Sequence, residues 1–222
     1  MKSNVAILTD TNSGITMQKA EELGVHLILM PILIDGEVYL EEKDIQKDFF
    51  FEKLGSNADV TTSQPSPGDI LDKFDTLLKE YEEVVYIPMS SGLSGTCQTA
   101  SMLAADYDGK VHVVDNQRIS VTMRQSVLDA VALAEEGKSG AEIKAYLGIM
   151  AGTIIIITVN ISNYYTSIFE AFRHAAFQVS SVMTTTGFST ADFDKWPELS
   201  RMLLLAVMCI GACAGSTGGG FK

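Results

Sequence analysis

The chain has 222 residues, 46% of them hydrophobic, and a formal charge of −12 at pH 7. The four cations and four acids from residue 148 onward cancel, so the negative surplus lies in the first 147 residues. An acidic surface repels a phosphate backbone and anionic headgroups, which excludes nucleic acid as a partner and lipid attraction by charge alone.

Residues 4–9 form a short apolar strand that runs into the polar turn 10–14. This apolar run is too short for a signal peptide and ends in Thr9-Asp10, so the chain is expected to begin in the cytosol. Apolar residues at helical spacing over 15–23 predict a helix with Gly24 as its C-cap. Residues 25–34 make a second apolar run, and Pro31 within it predicts an irregular or edge strand followed by an Asp35-Gly36 turn. A helix over 48–54, the hydroxyl-rich loop 61–69 and an amphipathic helix over 69–81 come next. Residues 84–88 read as a buried strand leading into Ser90-Ser91-Gly92-Leu93-Ser94-Gly95-Thr96, which opens a helix reaching about residue 106. A strand over 110–115 and helices over 119–136 and 140–146 complete the first region. Strand, loop and helix repeated in this way predict a three-layer α/β/α domain with a mainly parallel sheet.

About 147 residues suffice for a single buried core, whereas the remaining 75 do not bury one alone in water. The three cysteines, Cys97, Cys209 and Cys213, form no disulfide framework and suit a reducing compartment. His26, His112 and His174 are scattered, no nucleophile–base pair is visible, and the reading is a binding protein without cofactor or metal rather than an enzyme.

Open α/β sheets bind ligands at the carboxyl ends of their strands. Two hydroxyl-rich loops arrive there, each at a helix start, where free N–H groups and Ser/Thr hydroxyls suit a carboxylate or phosphate. The same residue types are also the commonest N-caps, and the loops alone do not separate the two roles.

Ile7-Leu8-Thr9-Asp10, Thr62-Ser63-Gln64-Pro65-Ser66 and Ser90-Ser91-Gly92-Leu93-Ser94-Gly95-Thr96 together resemble the N-terminal domain of DegV-family fatty-acid-binding proteins, over about residues 2–147. The resemblance implies a long-chain fatty acid as ligand, with its carboxylate held by Thr62 and Ser94 beside Ser63 and Ser91. It also implies a fatty-acid kinase as a partner. A second domain that closes over the acyl chain in that family is missing from this sequence, which implies weak or lost binding.

From 145 to 169 there are 25 residues without a charge, and 202–221 adds 20 more. At about 1.5 Å of rise per residue the first stretch reaches the roughly 30 Å of a bilayer core. Its apolar part ends near 161, where Asn160, Ser162 and Asn163 enter. Residues 170–183 have helical spacing, 184–190 form a Thr/Gly loop, and 199–210 make a second membrane helix behind Trp196-Pro197. This order matches a pore-loop cation-channel unit, in which extended backbone carbonyls replace an ion's hydration shell.

Residues 171–178, 184–190 and 211–220 resemble the Trk/Ktr potassium-transporter family, with the third of its four pore-loop repeats the nearest likeness. That implies potassium as the ion, Thr185, Thr186, Gly187 and Phe188 as a filter segment, and Gly215, Ser216, Thr217, Gly218, Gly219 and Gly220 as a gating loop. One repeat supplies about a quarter of the carbonyl shell, so conduction by this chain alone is not expected.

The sequence therefore divides into a DegV-like head, 1–147, and a truncated Trk-like helix–pore loop–helix fragment, 148–222. The expected placement is a cell membrane of a bacterium with the head in the cytoplasm, a fully cytoplasmic chain being the alternative. Three whole-chain readings stay open: a lipid-binding module tethered to a bilayer, a potassium-transporter fragment with an unrelated head, and a chimera in which neither activity survives.

Overall fold

The structure, a computed structural model, describes residues 3–45, 47–56, 58–183 and 187–210, the side chains at 47, 48, 209 and 210 excepted. It forms two compact units, Met1–Ala145 and Tyr146–Lys222.

In the first unit, β1 (Val5–Asp10), α1 (Met17–Leu23) and β2 (His26–Ile28) are followed by β3 (Pro31–Ile34), β4 (Glu37–Leu40), α2 (Lys47–Gly55) and β5 (Val60–Thr62). Then come α3 (Pro67–Leu77), β6 (Glu83–Ile87), α4 (Thr96–Ala104), β7 (Val111–Val113), α5 (Ser120–Glu135) and α6 (Gly140–Ile161), which passes into the second unit. The main sheet has the order β2-β1-β6-β7, and each of its pairings is parallel. One of its faces packs Ala6, Leu8, Val84 and Tyr86 against Ile70, Phe74 and Leu77 of α3 and Cys97 and Ala100 of α4. On the other side α5 packs against β1 and β6, with Met123, Val127 and Ala130 fully buried. The three-layer parallel α/β/α architecture read from the sequence is therefore present.

Several local expectations need correction. The apolar run 25–34 is two strands in two sheets: β2 edges the parallel sheet, and β3 is the centre of a separate antiparallel sheet of order β4-β3-β5. Pro31 stands at the first residue of β3, a position a proline tolerates. Asp35 (φ 52°) and Gly36 (φ 87°) both occupy the left-handed region, as a two-residue hairpin with twist-compatible strands requires. Strands β4 and β5 are not legible in the sequence, because each has only three or four residues and neither is apolar throughout. Helix α3 starts at Pro67, two residues before the expected Asp69. Ser66 accepts from the Asp69 N–H, Asp69 reciprocates, and the proline fills a first-turn position that lacks an N–H partner anyway. It ends at Leu77, short of the expected 81.

The largest correction concerns α6. A helix over 140–146 and a separate apolar segment from 148 are one continuous 22-residue helix. Gly148 and Gly152 do not interrupt it: glycine costs about 1 kcal/mol in a helix, and the surrounding apolar side chains outweigh that. In the second unit, α7 (Ile168–Met183) and α8 (Glu198–Ile210) pack together, joined by a segment that contains a single 3₁₀ turn, Phe193–Lys195, among its described residues. The segment Gly140–Tyr164 is long and apolar enough to cross a membrane, with a mean hydropathy of 1.8.

Candidate functional site

The carboxyl ends of β1, β6 and β7 bring three loops to one edge of the parallel sheet. Asp10, fully buried at the end of β1, ties the first two together. Its Oδ1 accepts from the Asn12 N–H (3.0 Å) and Nδ2 (2.9 Å), and its Oδ2 accepts from the Met89 N–H (2.9 Å). Burial pushes the Asp10 carboxyl above its ordinary range, against the pull of these donors. Beside it the Thr9 hydroxyl donates to the Ile87 carbonyl at 2.8 Å. The first loop is thus fixed before any ligand arrives.

The second loop, 88–96, folds around Ser90, whose carbonyl accepts from the N–H groups of Leu93 (3.0 Å) and Ser94 (3.1 Å). The Ser90 N–H donates to the carbonyl of Arg118 (3.1 Å), which pins this loop to the third one, after β7. Ser94 Oγ accepts from the Thr96 N–H (3.2 Å) and lies 2.8 Å from Thr96 Oγ1. Thr96 is fully buried, whereas Ser94 is partly open. Either hydroxyl can donate in the Oγ–Oγ1 contact, and when Thr96 does, the Ser94 proton is free for another acceptor.

Ser91 differs. Its hydroxyl donates to Asp115 Oδ2 and its N–H to Asp115 Oδ1 (3.2 Å), while Gln117 Nε2 reaches both Asp115 Oδ2 (2.6 Å) and Ser91 Oγ (3.2 Å). The Ser91 proton is therefore already committed. The resemblance set Ser91 beside Thr62 and Ser94 rather than among the donors, but sequence reasoning missed Asp115 and Gln117, which engage it. The position of Asp115 directly past a parallel strand was the signal that could have found them.

Thr62 ends β5, paired with Ile32, and Ser63 follows with its N–H on the Pro31 carbonyl (3.2 Å). Both side chains are exposed; Ser63 Oγ donates to the Gln64 carbonyl at 3.3 Å, and Thr62 Oγ1 takes part in none of the described hydrogen bonds. The two hydroxyl-rich loops meet through Gln64 and Gly95: a Cβ placed on Gly95 would stand 3.0 Å from Gln64 Oε1. Glycine is what permits this approach. Exposed and partly open hydroxyls beside a helix start can hold a small anionic or carbonyl headgroup, and the nearby buried Cys97, pushed up to about 11 chiefly by burial, is a poor nucleophile.

In the second unit, the Trk-like filter residues Thr185 and Thr186 and the gating residues Gly215–Gly220 lie outside the described residues, as do Cys213 and the side chain of Cys209. Gly187 (φ 78°) and Phe188 are described: Ser181 Oγ donates to the Phe188 carbonyl (2.6 Å), and the Gly187 N–H to the Ser181 carbonyl (3.3 Å). Gly187 and Phe188 are thus tied back to Ser181 of α7.

A parallel α/β/α unit with hydroxyl-rich loops at its strand ends has the architecture of a ligand-binding domain. Residues 4–164 match the family described as uncharacterised protein, DegV family, and the chain belongs to that family. Residues 144–222 also match the family of TrkH cation transport proteins; the two matches overlap on α6. A DegV domain-containing protein of Staphylococcus aureus (strain N315) is 32% identical over 153 residues, 69% of this chain and 55% of that protein. Among solved structures, a DegV family protein from Thermus thermophilus, described by its fatty acid binding, has 33% identity and a TM-score of 0.60, covering 64% of this chain and 51% of its own. DegV from Bacillus subtilis, described as a fatty acid binding protein, has 30% identity and a TM-score of 0.60, with 68% and 55% covered. The chain thus spans about half the length of the relatives it matches.

Proposed function

We propose that residues 1–147 are an acyl-binding unit in which Thr62 and Ser94 donate to the carboxylate of a long-chain fatty acid, with Ser63 and Ser91 beside them. The observation that carries this reading is the meeting of the two hydroxyl-rich loops at Gln64 and Gly95, with the exposed Thr62 hydroxyl on one and the partly open Ser94 hydroxyl on the other. The relatives from Thermus thermophilus and Bacillus subtilis, described as binding fatty acids, support it. Residues 1–147 by themselves, which correspond to about half of a relative, are expected to bind more weakly than a full-length relative. At about 0.8 kcal/mol per buried CH₂, half-exposing a long chain costs several kcal/mol, on the order of a thousandfold in affinity. The role is binding and delivery, with a fatty-acid kinase as the partner that would use the ligand.

The test is equilibrium binding of labelled palmitate to the full chain in maltoside detergent. Thr62→Ala and Ser94→Ala should each weaken binding about tenfold, the worth of a hydrogen bond to a charged group, and Ser91→Ala less than threefold. Wild-type protein that takes up no palmitate, or binding indifferent to both Thr62 and Ser94, would sink the reading.

A second reading covers 148–222. The apolar length of Gly140–Tyr164 and the cation-transport match favour insertion in a bilayer, with the first unit on the cytoplasmic side. Thr185, Thr186, Gly187 and Phe188 would be a lone filter segment for potassium and Gly215–Gly220 a gating loop. One segment gives about a quarter of an ion's shell, so this part inserts without conducting. Such a chain is a fusion of two unrelated parents. Potassium-dependent growth rescue of a transport-deficient bacterium would contradict the non-conducting assignment.

A further inference from the structure

We propose that the first unit carries a second ligand site, on the flank of β7 and apart from the strand-end loops, that takes a short-chain monocarboxylate. An apolar cleft between α4 and β7 receives the alkyl chain, and the Lys144 ammonium holds the carboxylate.

β7 is the last strand of the parallel sheet, and α4 packs against it. Between them lies a cleft of about 230 Å³. Its floor is apolar and buried, made by Ala104 of α4 with Val111 and Val113 of β7. Ser101, Ala104 and Ala105, three and four residues apart, share one side of α4 and the turn that ends it, and their small side chains leave the space open. Gly109 completes the rim: its left-handed φ of 77° turns the chain into β7, and a Cβ built there would meet nothing within 4 Å. The space falls below the roughly 300 Å³ at which pockets for drug-sized ligands begin, so it suits a small molecule and not a long acyl chain.

The polar wall fixes the sign of the ligand's charge. No acidic side chain is among the lining residues, although the negative surplus of the chain lies in residues 1–147. Lys144, in the part of α6 that belongs to the first unit, is the cation on the lining. Its ammonium takes part in none of the described ion pairs, whereas Lys138 nearby is spent on Glu142 at 3.6 Å. The Lys144 charge is felt on the α4 side of the cleft: the Cys97 thiol, raised by burial and then by Asp115, is drawn down in part by Lys144. Ser101 Oγ donates to the Cys97 carbonyl at 2.8 Å, so its proton is committed and Lys144 is left as the charged donor. One ammonium at the rim of an apolar floor matches one carboxylate on a short alkyl chain. The strand-end hydroxyls of Thr62 and Ser94 do not line this cleft, and the site is independent of the acyl-binding reading.

The experiment titrates the ¹⁵N-labelled full chain in maltoside with pentanoate and with its neutral analogue pentanamide, following the amides of Ala105, Gly109 and Val111. Pentanoate should shift all three saturably, with a dissociation constant on the order of 10 mM for a few half-buried methylenes and one exposed ion pair. Lys144→Gln should weaken pentanoate about fivefold, the worth of an exposed ion pair, and leave pentanamide within twofold; Lys144→Arg should stay within twofold for both. Added salt should weaken pentanoate alone, because the pair is screened. Ala105→Leu, an exposed position, should fill the mouth and remove both ligands. Palmitate binding should be indifferent to Lys144→Gln, which separates this site from the acyl site. Pentanoate shifts confined to the Thr62 and Ser94 amides, no saturable shift at Gly109, or equal pentanoate affinity in wild type and Lys144→Gln each overturn the proposal. A chain that takes up pentanoate here but no palmitate overturns the acyl-binding reading and leaves this one standing.

Discussion

Both units bury apolar side chains, but they differ in what they leave at the surface and which polar groups they enclose. In the first, Tyr86, Phe74, Leu8 and Ile70 are shut away from solvent, and the buried polar groups at the strand ends are largely hydrogen-bonded to one another. In the second, Phe169 is 82% exposed and Val159, Met202 and Leu205 about 60%, whereas Gln178, Ser181 and Ser200 are inside. Ser200 donates to Asn160 Oδ1 (2.7 Å), and Trp196 Nε1 to the Tyr165 hydroxyl (3.1 Å). Apolar outside and hydrogen-bonded polar inside is the arrangement that lipid selects and water penalises. One continuous helix, α6, runs across the boundary between the units, so the change in side-chain pattern comes without a backbone break.

This contrast can be broken at single positions. The largest effect is expected from Phe74→Ala. Phe74 is fully buried and meets Tyr86 and Tyr107 edge-on at 5.9 and 5.6 Å, so its loss should cost about 4 kcal/mol. Hydrogen exchange of the β1 and β6 amides in the full chain reads that loss, and carbonate extraction of the membrane fraction should be unchanged. Ile155→Asp should act in reverse. Ile155 is 45% exposed on α6, and an aspartate at the middle of a membrane helix costs about 3 kcal/mol. The variant should move from the carbonate-resistant to the soluble fraction with β1 and β6 protection retained. Equal membrane retention of wild type and Ile155→Asp would remove the lipid interpretation of the second unit.

What could be read from sequence follows from how far each signal reaches along the chain. The parallel core was legible because its strands are apolar runs after which hydroxyl-rich loops open helices, a pattern contained within a dozen residues. The antiparallel sheet was not, since Val60–Thr62 is read as loop until its partner Ile32–Ile34, about 30 residues away, is known. The same limit applies to the site. Thr62 and Ser94 could be named from motifs, but the difference between Ser91 and Ser94 depends on Asp115, 24 residues downstream of Ser91 and brought beside it by β7. Helix α6 was cut in two because a charge-free run beginning near 145 was taken as a boundary, whereas helix continuity depends on backbone propensity and not on which solvent a face meets.

The smallest effect expected belongs to a pair of charges that the first unit buries without joining. Asp129 on α5 accepts from Gln125 Nε2 (2.9 Å) through Oδ1, but Oδ2 has no partner, and Nη2 of the buried Arg118 has none either. Burial raises the Asp129 carboxyl above its ordinary value and outweighs both the Gln125 hydrogen bond and the Arg118 charge; burial likewise lowers Arg118. The folded chain therefore holds the Asp129 proton more tightly than the unfolded chain does. The cost of ionising it is absent below the unfolded value near 3.8 and fully present above the raised folded value, so this contribution stabilises the fold as pH falls from neutral. Asp129→Asn keeps an oxygen for Gln125 and removes the ionisation, and it should raise the urea midpoint at pH 7 more than at pH 4.5. The Arg118 charge it leaves behind makes the gain small. Midpoint shifts equal at the two pH values would mean that Asp129 ionises in the folded chain at no cost, with Arg118 acting as a full partner across the gap.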